Sequence, residues 1–220
     1  MTPFTLALDA STYTGTFAVT GADGQIVAGE TAMRGADVER LMPAVADTLA
    51  RARIAPLQLQ RIVCGGGPGS FTSLRIAAAI AKGLAVAGRL ELWTMPSLAL
   101  LVGAEHRAPG RYLAVLDAMR GEWYAQCFSV DDVGVVRADG TRERLATEAL
   151  GSAAAELAAT LLGAPAGMPA ASHARGLTRL DASLVQPVDL SRWEPDYGRL
   201  AEAQVKWESA HGRPLVGGGG

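Results

Sequence analysis

The chain has 220 residues, 49% hydrophobic and 19% charged, with a formal net charge of −2. This balance describes an ordinary globular protein with room for one large or two small domains, and it argues against broad electrostatic binding to a phosphate backbone. Two cysteines, Cys64 and Cys127, and three histidines exclude a disulfide framework and a four-ligand zinc site; buried thiols in a reducing cytoplasm are expected instead.

The opening run M-T-P-F-T-L-A-L-D has no basic region ahead of its short apolar stretch, so no signal peptide is expected. Arg75, Lys82 and Arg89 break the longest apolar stretches, and no membrane span is expected. Residues 4–9 predict a buried strand ending in Asp9. Residues 14–20 and the segment after G-A-D-G extend it into a three-stranded meander. Val38, Leu41, Met42, Val45 and Leu49 fall on one helical face, with Pro43 either kinking that helix or marking its first turn. The strand R-I-V-C at 61–64 enters a glycine-rich turn and then a helix over about 70–87. A strand at 90–94 follows, and Ser97 is expected to cap the short helix after it.

The second half repeats the first. Y-L-A-V-L-D-A at 112–118 parallels L-A-L-D-A at 6–10, and each run closes on an aspartate, Asp9 or Asp117. A glycine-bearing turn (Gly15 or Gly121), a second strand, another turn and a third strand with Val135 and Val136 complete the later copy. Leu150, Ala154, Leu157, Ala158 and Leu161 then form a helical stripe. Two meanders of one design, each followed by helix, predict a duplicated α/β unit. Residues 163–193 carry weak strand signals only, and a final helix is expected from Pro195, which suits a first helical position, to about residue 211. The expected organisation is 1–96 as an N-terminal subdomain joined by helix 195–211, 97–194 as a smaller second subdomain, and 212–220 as a flexible glycine-ended tail.

Asp9 and Asp117, at the cleft between the halves, have two readings. They could orient Mg²⁺ or water near a phosphate, or each could cap its own turn; without further ligands the second carries more weight. The run C-G-G-G-P-G-S-F-T-S-L-R at 64–75 lacks the lysine of a Walker loop, and Ser70 stands where the Rossmann pattern needs a third glycine. Gly65, Gly66, Gly67 and Gly69 permit close backbone approach, Pro68 stiffens the turn, and Ser70 or Thr72 can cap the helix start. A phosphate cradle and a structural turn both remain open. On the following helix, Ile76, Ile80 and Leu84 form one ridge, and Leu74, Ala77, Ala78, Ala81 and Ala85 form a small-residue surface; Arg75 and Lys82 leave a narrow polar stripe. Such a helix is buried on two sides, either deep within the domain or against a partner's helix. His106, His173 and His211 form no metal-ligand spacing, no G-x-S-x-G elbow occurs, and the scattered Trp93, Trp123, Trp193 and Trp207 suit packing better than base stacking.

G-P-G-S-F-T-S-L-R-I at 67–76 and A-K-G-L-A at 81–85 closely resemble the signature of the TsaB (YeaZ) family, supported by L-A-L-D-A-S-T at 6–12, R-L-M-P at 40–43, D-A-M-R-G-E-W-Y at 117–124 and E-P-D-Y-G-R at 194–199. The resemblance implies a duplicated ribonuclease-H-like, actin-like α/β fold. It further implies a non-catalytic scaffold for N6-threonylcarbamoylation of adenosine 37 in tRNAs that read codons beginning with A. The implied partners are a TsaD-like catalytic subunit, which carries the metal site that this family lacks, and a TsaE-like ATPase; tRNA is met only through the complex. The implied interface is a helix bundle built from Val38, Leu41, Met42, Val45, Leu74, Arg75, Ala78, Ala81, Lys82 and Ala85, through which the chain alone would homodimerise. No cofactor is implied for this chain alone; ATP or ADP shared at an intersubunit site would meet Asp9, Gly67, Gly69, Ser70 and Thr72. Ser73 replaces a usual glycine and Asp37 lies where a nearby histidine is usual, differences that touch no catalytic group. The rival functions are a stand-alone nucleotide-hydrolysing enzyme using Asp9 and Asp117, and a metal-dependent glycoprotein peptidase.

Overall fold

A computed structural model of the chain describes residues 4–163 apart from 23, 25 and 34–39, then residues 167–198 and residue 211. The first half opens with β1 (Phe4–Asp9), β2 (Thr14–Gly21) and β3 (Ile26–Ala32), an antiparallel meander in which Asp9 lies opposite Thr16. Helix α1 (Leu41–Arg51) follows, with Pro43 in its first turn, where no intrahelical N–H is required. Strand β4 (Leu59–Gly65) returns parallel to β1, α2 (Phe71–Gly88) crosses back, and β5 (Glu91–Met95) pairs parallel with β4. After the short helix α3 (Ser97–Gly103), the plan repeats as β6 (Gly110–Asp117), β7 (Glu122–Val130), β8 (Val136–Ala138), α4 (Leu150–Glu156) and β10 (Thr160–Leu162). An added strand, β9 (Glu143–Ala146), pairs with β7.

Topology establishes the duplication. One sheet contains the order β3-β2-β1-β4 and the other β8-β7-β6-β10, with β4 parallel to β1 and β10 parallel to β6. This is the duplicated ribonuclease-H-like, actin-like α/β architecture. Helices α1 and α2 cover one face of the first sheet through Leu41, Val45, Leu49, Ala77, Ala81 and Ala85, which pack with Leu6, Leu8, Ile62 and Cys64. Every residue of α3 is buried, and Leu98, Leu101 and Val102 pack with Tyr112, Leu116 and Phe128 of the second sheet. Leu100 of the same helix packs with Ala7, Val63 and Met95 of the first sheet, so α3 is the shared filling between the halves.

Several expectations are corrected. The stripe after residue 150 stops being helical at Glu156: Ala158 turns to φ +48° and Leu161 joins β10. The second subdomain does not extend to residue 194, because β11 (Gln186–Pro187) pairs with β5, and Val188, Leu190 and Trp193 pack on the first core. Pro195 does not start a helix. Asp196 accepts the Gly198 N–H at 2.7 Å, and Gly198 takes φ +72°, which makes P-D-Y-G a turn. The rest of the expected helix, 199–210, and the tail 212–220 lie outside the described residues, as does Val38. By length and composition α2 could cross a membrane; it lies against the sheet of its own chain, with Leu74, Ala77, Ala81 and Ala85 buried there.

Candidate functional site

The glycine turn sits where β4 hands over to α2, and three of its backbone amides have partners inside the chain. The Gly66 N–H donates to the Met95 carbonyl at 2.8 Å and the Ser70 N–H to the Ser11 carbonyl at 2.7 Å. The Gly67 N–H donates to Ser97 Oγ at 3.1 Å. A phosphate cradle needs such amides pointing at open space. Here they stitch β4, α3 and the loop after β1 together, which favours the structural turn. Side-chain-free backbone is required for close approach: a Cβ on Gly65 would overlap the Asp9 carboxylate, one on Gly67 the Asp196 carbonyl, and one on Gly69 the Ser11 carbonyl. Ser70 precedes α2 but caps no amide; its hydroxyl lies 3.1 Å from that of Ser73. Ser97 likewise begins α3 without capping it, because its hydroxyl is drawn to Gly67 and Asp9. Thr72 is exposed on the first turn of α2.

The two aspartates part company. Asp9 is buried, and its carboxylate accepts from three serine hydroxyls, Ser97 at 2.6 Å and Ser11 and Ser172 at 2.8 Å each, and from the Ser11 N–H at 3.3 Å. Asp117 is exposed and accepts the Met119 N–H at 2.6 Å, which caps its own turn. Asp9 also caps its own turn through Ser11, but its larger role is to join segments 9–11, 97 and 172. Sequence inspection does not find this cluster, because its members are 88 and 163 residues apart along the chain. Among the described residues, no group of three or more histidine, cysteine, aspartate or glutamate side chains could hold a metal ion.

The expected partner surface is redistributed by burial. Leu41 and Val45 of α1, and Leu74, Ala78, Ala81 and Ala85 of α2, all lie in the interior of this chain. The small-residue face of α2 therefore packs on its own sheet, where closely approaching alanines let the helix sit low. Ile76, Ile80 and Leu84 are half-buried against the same core. The outward residues of α1 include Met42, Ala46 and Ala50 beside the Asp47–Arg51 ion pair, and those of α2 include Arg75, Ala79, Gly83 and Val86. Lys82 is flanked: its ammonium lies 3.1 Å from Glu194 and 5.9 Å from the Trp193 ring.

Known proteins agree with this architecture. A family model described as TsaD, tRNA N6-adenosine threonylcarbamoyltransferase, matches residues 30–190. The solved structure of YeaZ from Pseudomonas aeruginosa superposes with a TM-score of 0.72 at 26% identity, covering 89% of this chain and 99% of that one. The tRNA threonylcarbamoyladenosine biosynthesis protein TsaB of Escherichia coli is 32% identical over 112 residues, 50% of this chain and 48% of that protein, so this match spans about half its length. TsaB of Bacillus subtilis is 30% identical over 92% of this chain and 96% of its own length. The chain belongs to the TsaB family.

Within this TsaB-family fold three buried titratable groups have measurable consequences. His173 precedes the 3₁₀ turn Ala174–Arg179, and its Nδ1 accepts the Arg175 N–H at 3.1 Å. Burial, then the Arg175 charge, hold its pKa below the usual 6.5. The folded state thus resists a proton that the unfolded chain takes up below about pH 6.5, so stability falls as pH drops through that value. His173→Asn keeps a capping acceptor and removes the titration. Urea midpoints between about pH 7 and 5 are expected to slope less in the variant than in the parent. Cys64 has its pKa raised by burial and then by the Asp9 charge, and burial also raises that of Cys127. Both remain thiols at neutral pH. A thiol reagent is expected to label neither in the native protein and both in denaturant.

Proposed function

We propose that this chain is a non-catalytic subunit in the synthesis of N6-threonylcarbamoyladenosine at position 37 of tRNAs that read codons beginning with A, acting by binding a TsaD-like catalytic subunit. The observation that carries the reading is a glycine turn in which the Gly66, Gly67 and Ser70 amides are held by the chain itself, in a family whose Bacillus subtilis relative is named for tRNA threonylcarbamoyladenosine biosynthesis. Such a turn launches α2 tightly against the sheet and leaves the outer stripes of α1 and α2 for a partner. On this reading the chain binds no nucleotide by itself; ATP or ADP enters only at a junction with another subunit. A TsaE-like ATPase joins the assembly, tRNA is met through the complex, and all of this takes place in the cytoplasm. In isolation the same helices pair two copies of the chain.

Gly83 tests the surface. A Cβ there meets nothing within 4 Å, so Gly83→Arg is expected to leave the fold intact, with a helix gain of about 0.5–1 kcal/mol from removing a mid-helix glycine. It is also expected to weaken binding of the catalytic subunit about ten-fold or more, by placing a long charged side chain in a small-residue stripe. Calorimetric titration of parent and variant checks this; unchanged affinity in a folded variant would remove α2 from the interface.

A further inference from the structure

Residues 193–198 touch both halves. Toward the first half, Pro195 is buried and the Asp196 N–H donates to the Gly66 carbonyl at 2.8 Å. Tyr197 places its ring 4.5 Å from that of Phe71, at the start of α2, and its hydroxyl donates to Glu194 at 3.2 Å. Glu194 pairs with Lys82 further along the same helix. Toward the second half, the Asp196 carboxylate pairs with Arg142 at 2.6 Å, and Tyr124 of β7 donates its hydroxyl to the Tyr197 carbonyl at 3.3 Å. Gly198 lies so close to the Tyr124 ring that a Cβ there would overlap it.

The physical character of this strap differs from that of the Asp9 cluster beneath it. It has no regular secondary structure, and its two ion pairs are on the surface, with the carboxylates of Glu194 and Asp196 67% and 55% exposed. Such pairs contribute little individually and are screened by salt. The floor beneath is bare backbone: the Asp196 N–H bonds the Gly66 carbonyl, and the Asp196 carbonyl approaches Gly67 so closely that a Cβ there would overlap it.

We infer that residues 193–198 form a latch that covers the glycine turn and ties the two halves to each other. Closure excludes any ligand from the turn, and opening separates α2 from β7 without disturbing either sheet. Because its rim is held by exposed charges, the latch loosens as salt rises, while the sheets do not.

Residue-resolved amide hydrogen exchange on the full chain tests this, comparing the parent with Arg142→Gln and Tyr197→Ala at low and high salt. The latch predicts that exchange at Asp196, Gly198 and Ser70 rises at least about three-fold in either variant, and with salt in the parent, while β2 and β6 keep their protection. Unchanged rates at Asp196 and Gly198 in both variants would overturn it, as would equal acceleration throughout both sheets. Should Tyr197→Ala fail to fold, the exposed Arg142→Gln decides alone.

Discussion

Gly67→Ala is expected to destabilise the chain by about 3–4 kcal/mol, read as a shift in urea midpoint. Two costs combine. The residue sits at φ +89°, a conformation that charges an L side chain about 1–2 kcal/mol. The new Cβ also overlaps the Asp196 carbonyl oxygen, which is backbone and cannot rotate away. Relief requires moving the strap at 193–198, with loss of the bond from the Asp196 N–H to Gly66 and of the Arg142 pair. Gly83→Ala is the matched control: the same added methyl, in open space on a helix, is expected to stabilise by about 0.5–1 kcal/mol. Equal effects at the two positions would show that the turn is not packed as described.

Asp9→Ala is expected to cost about 4 kcal/mol. Removing the carboxylate leaves three buried hydroxyls and one N–H without their acceptor, and each buried donor so orphaned costs about 1–3 kcal/mol, partly recovered by rotation of the hydroxyls. Ser172 retains a long alternative at 3.4 Å on the Ser97 carbonyl, which softens one loss. Asp9→Asn keeps one carbonyl oxygen and the volume, and is expected to recover about half of the deficit. A catalytic Asp9 predicts the reverse pattern, in which Asn abolishes nucleotide turnover with little change in stability. Denaturation of both variants separates the two.

The meanders were readable because strands alternate with a period of two and close on short turns after Asp9 and Asp117. Gly121 stands in the second of these turns, whereas Gly15, expected in the first, lies inside β2. The recurrence of the meanders carried the duplication, and the sheet orders bear it out. The faces of α2 were not readable. An alanine-rich helix is apolar nearly all round, so periodicity cannot say which side meets the sheet; Ala78 and Ala81 proved to be core, and Gly83 and Val86 surface. Pro195 misled because proline suits both a helix start and a turn; the following Asp196 and Gly198 were the turn signal. The serine cluster around Asp9 had no local signature. It exists only because α3 lies between the sheets and brings residue 97 to residues 9 and 172.

The most direct test of the central claim is reconstitution of tRNA threonylcarbamoylation from purified TsaD-like and TsaE-like subunits, tRNA and the threonylcarbamoyl donor, with and without this chain. Product formation is expected to require the chain and to fall with Gly83→Arg in step with its loss of binding. Equal product without the chain, or product from the chain without the catalytic subunit, would contradict the account.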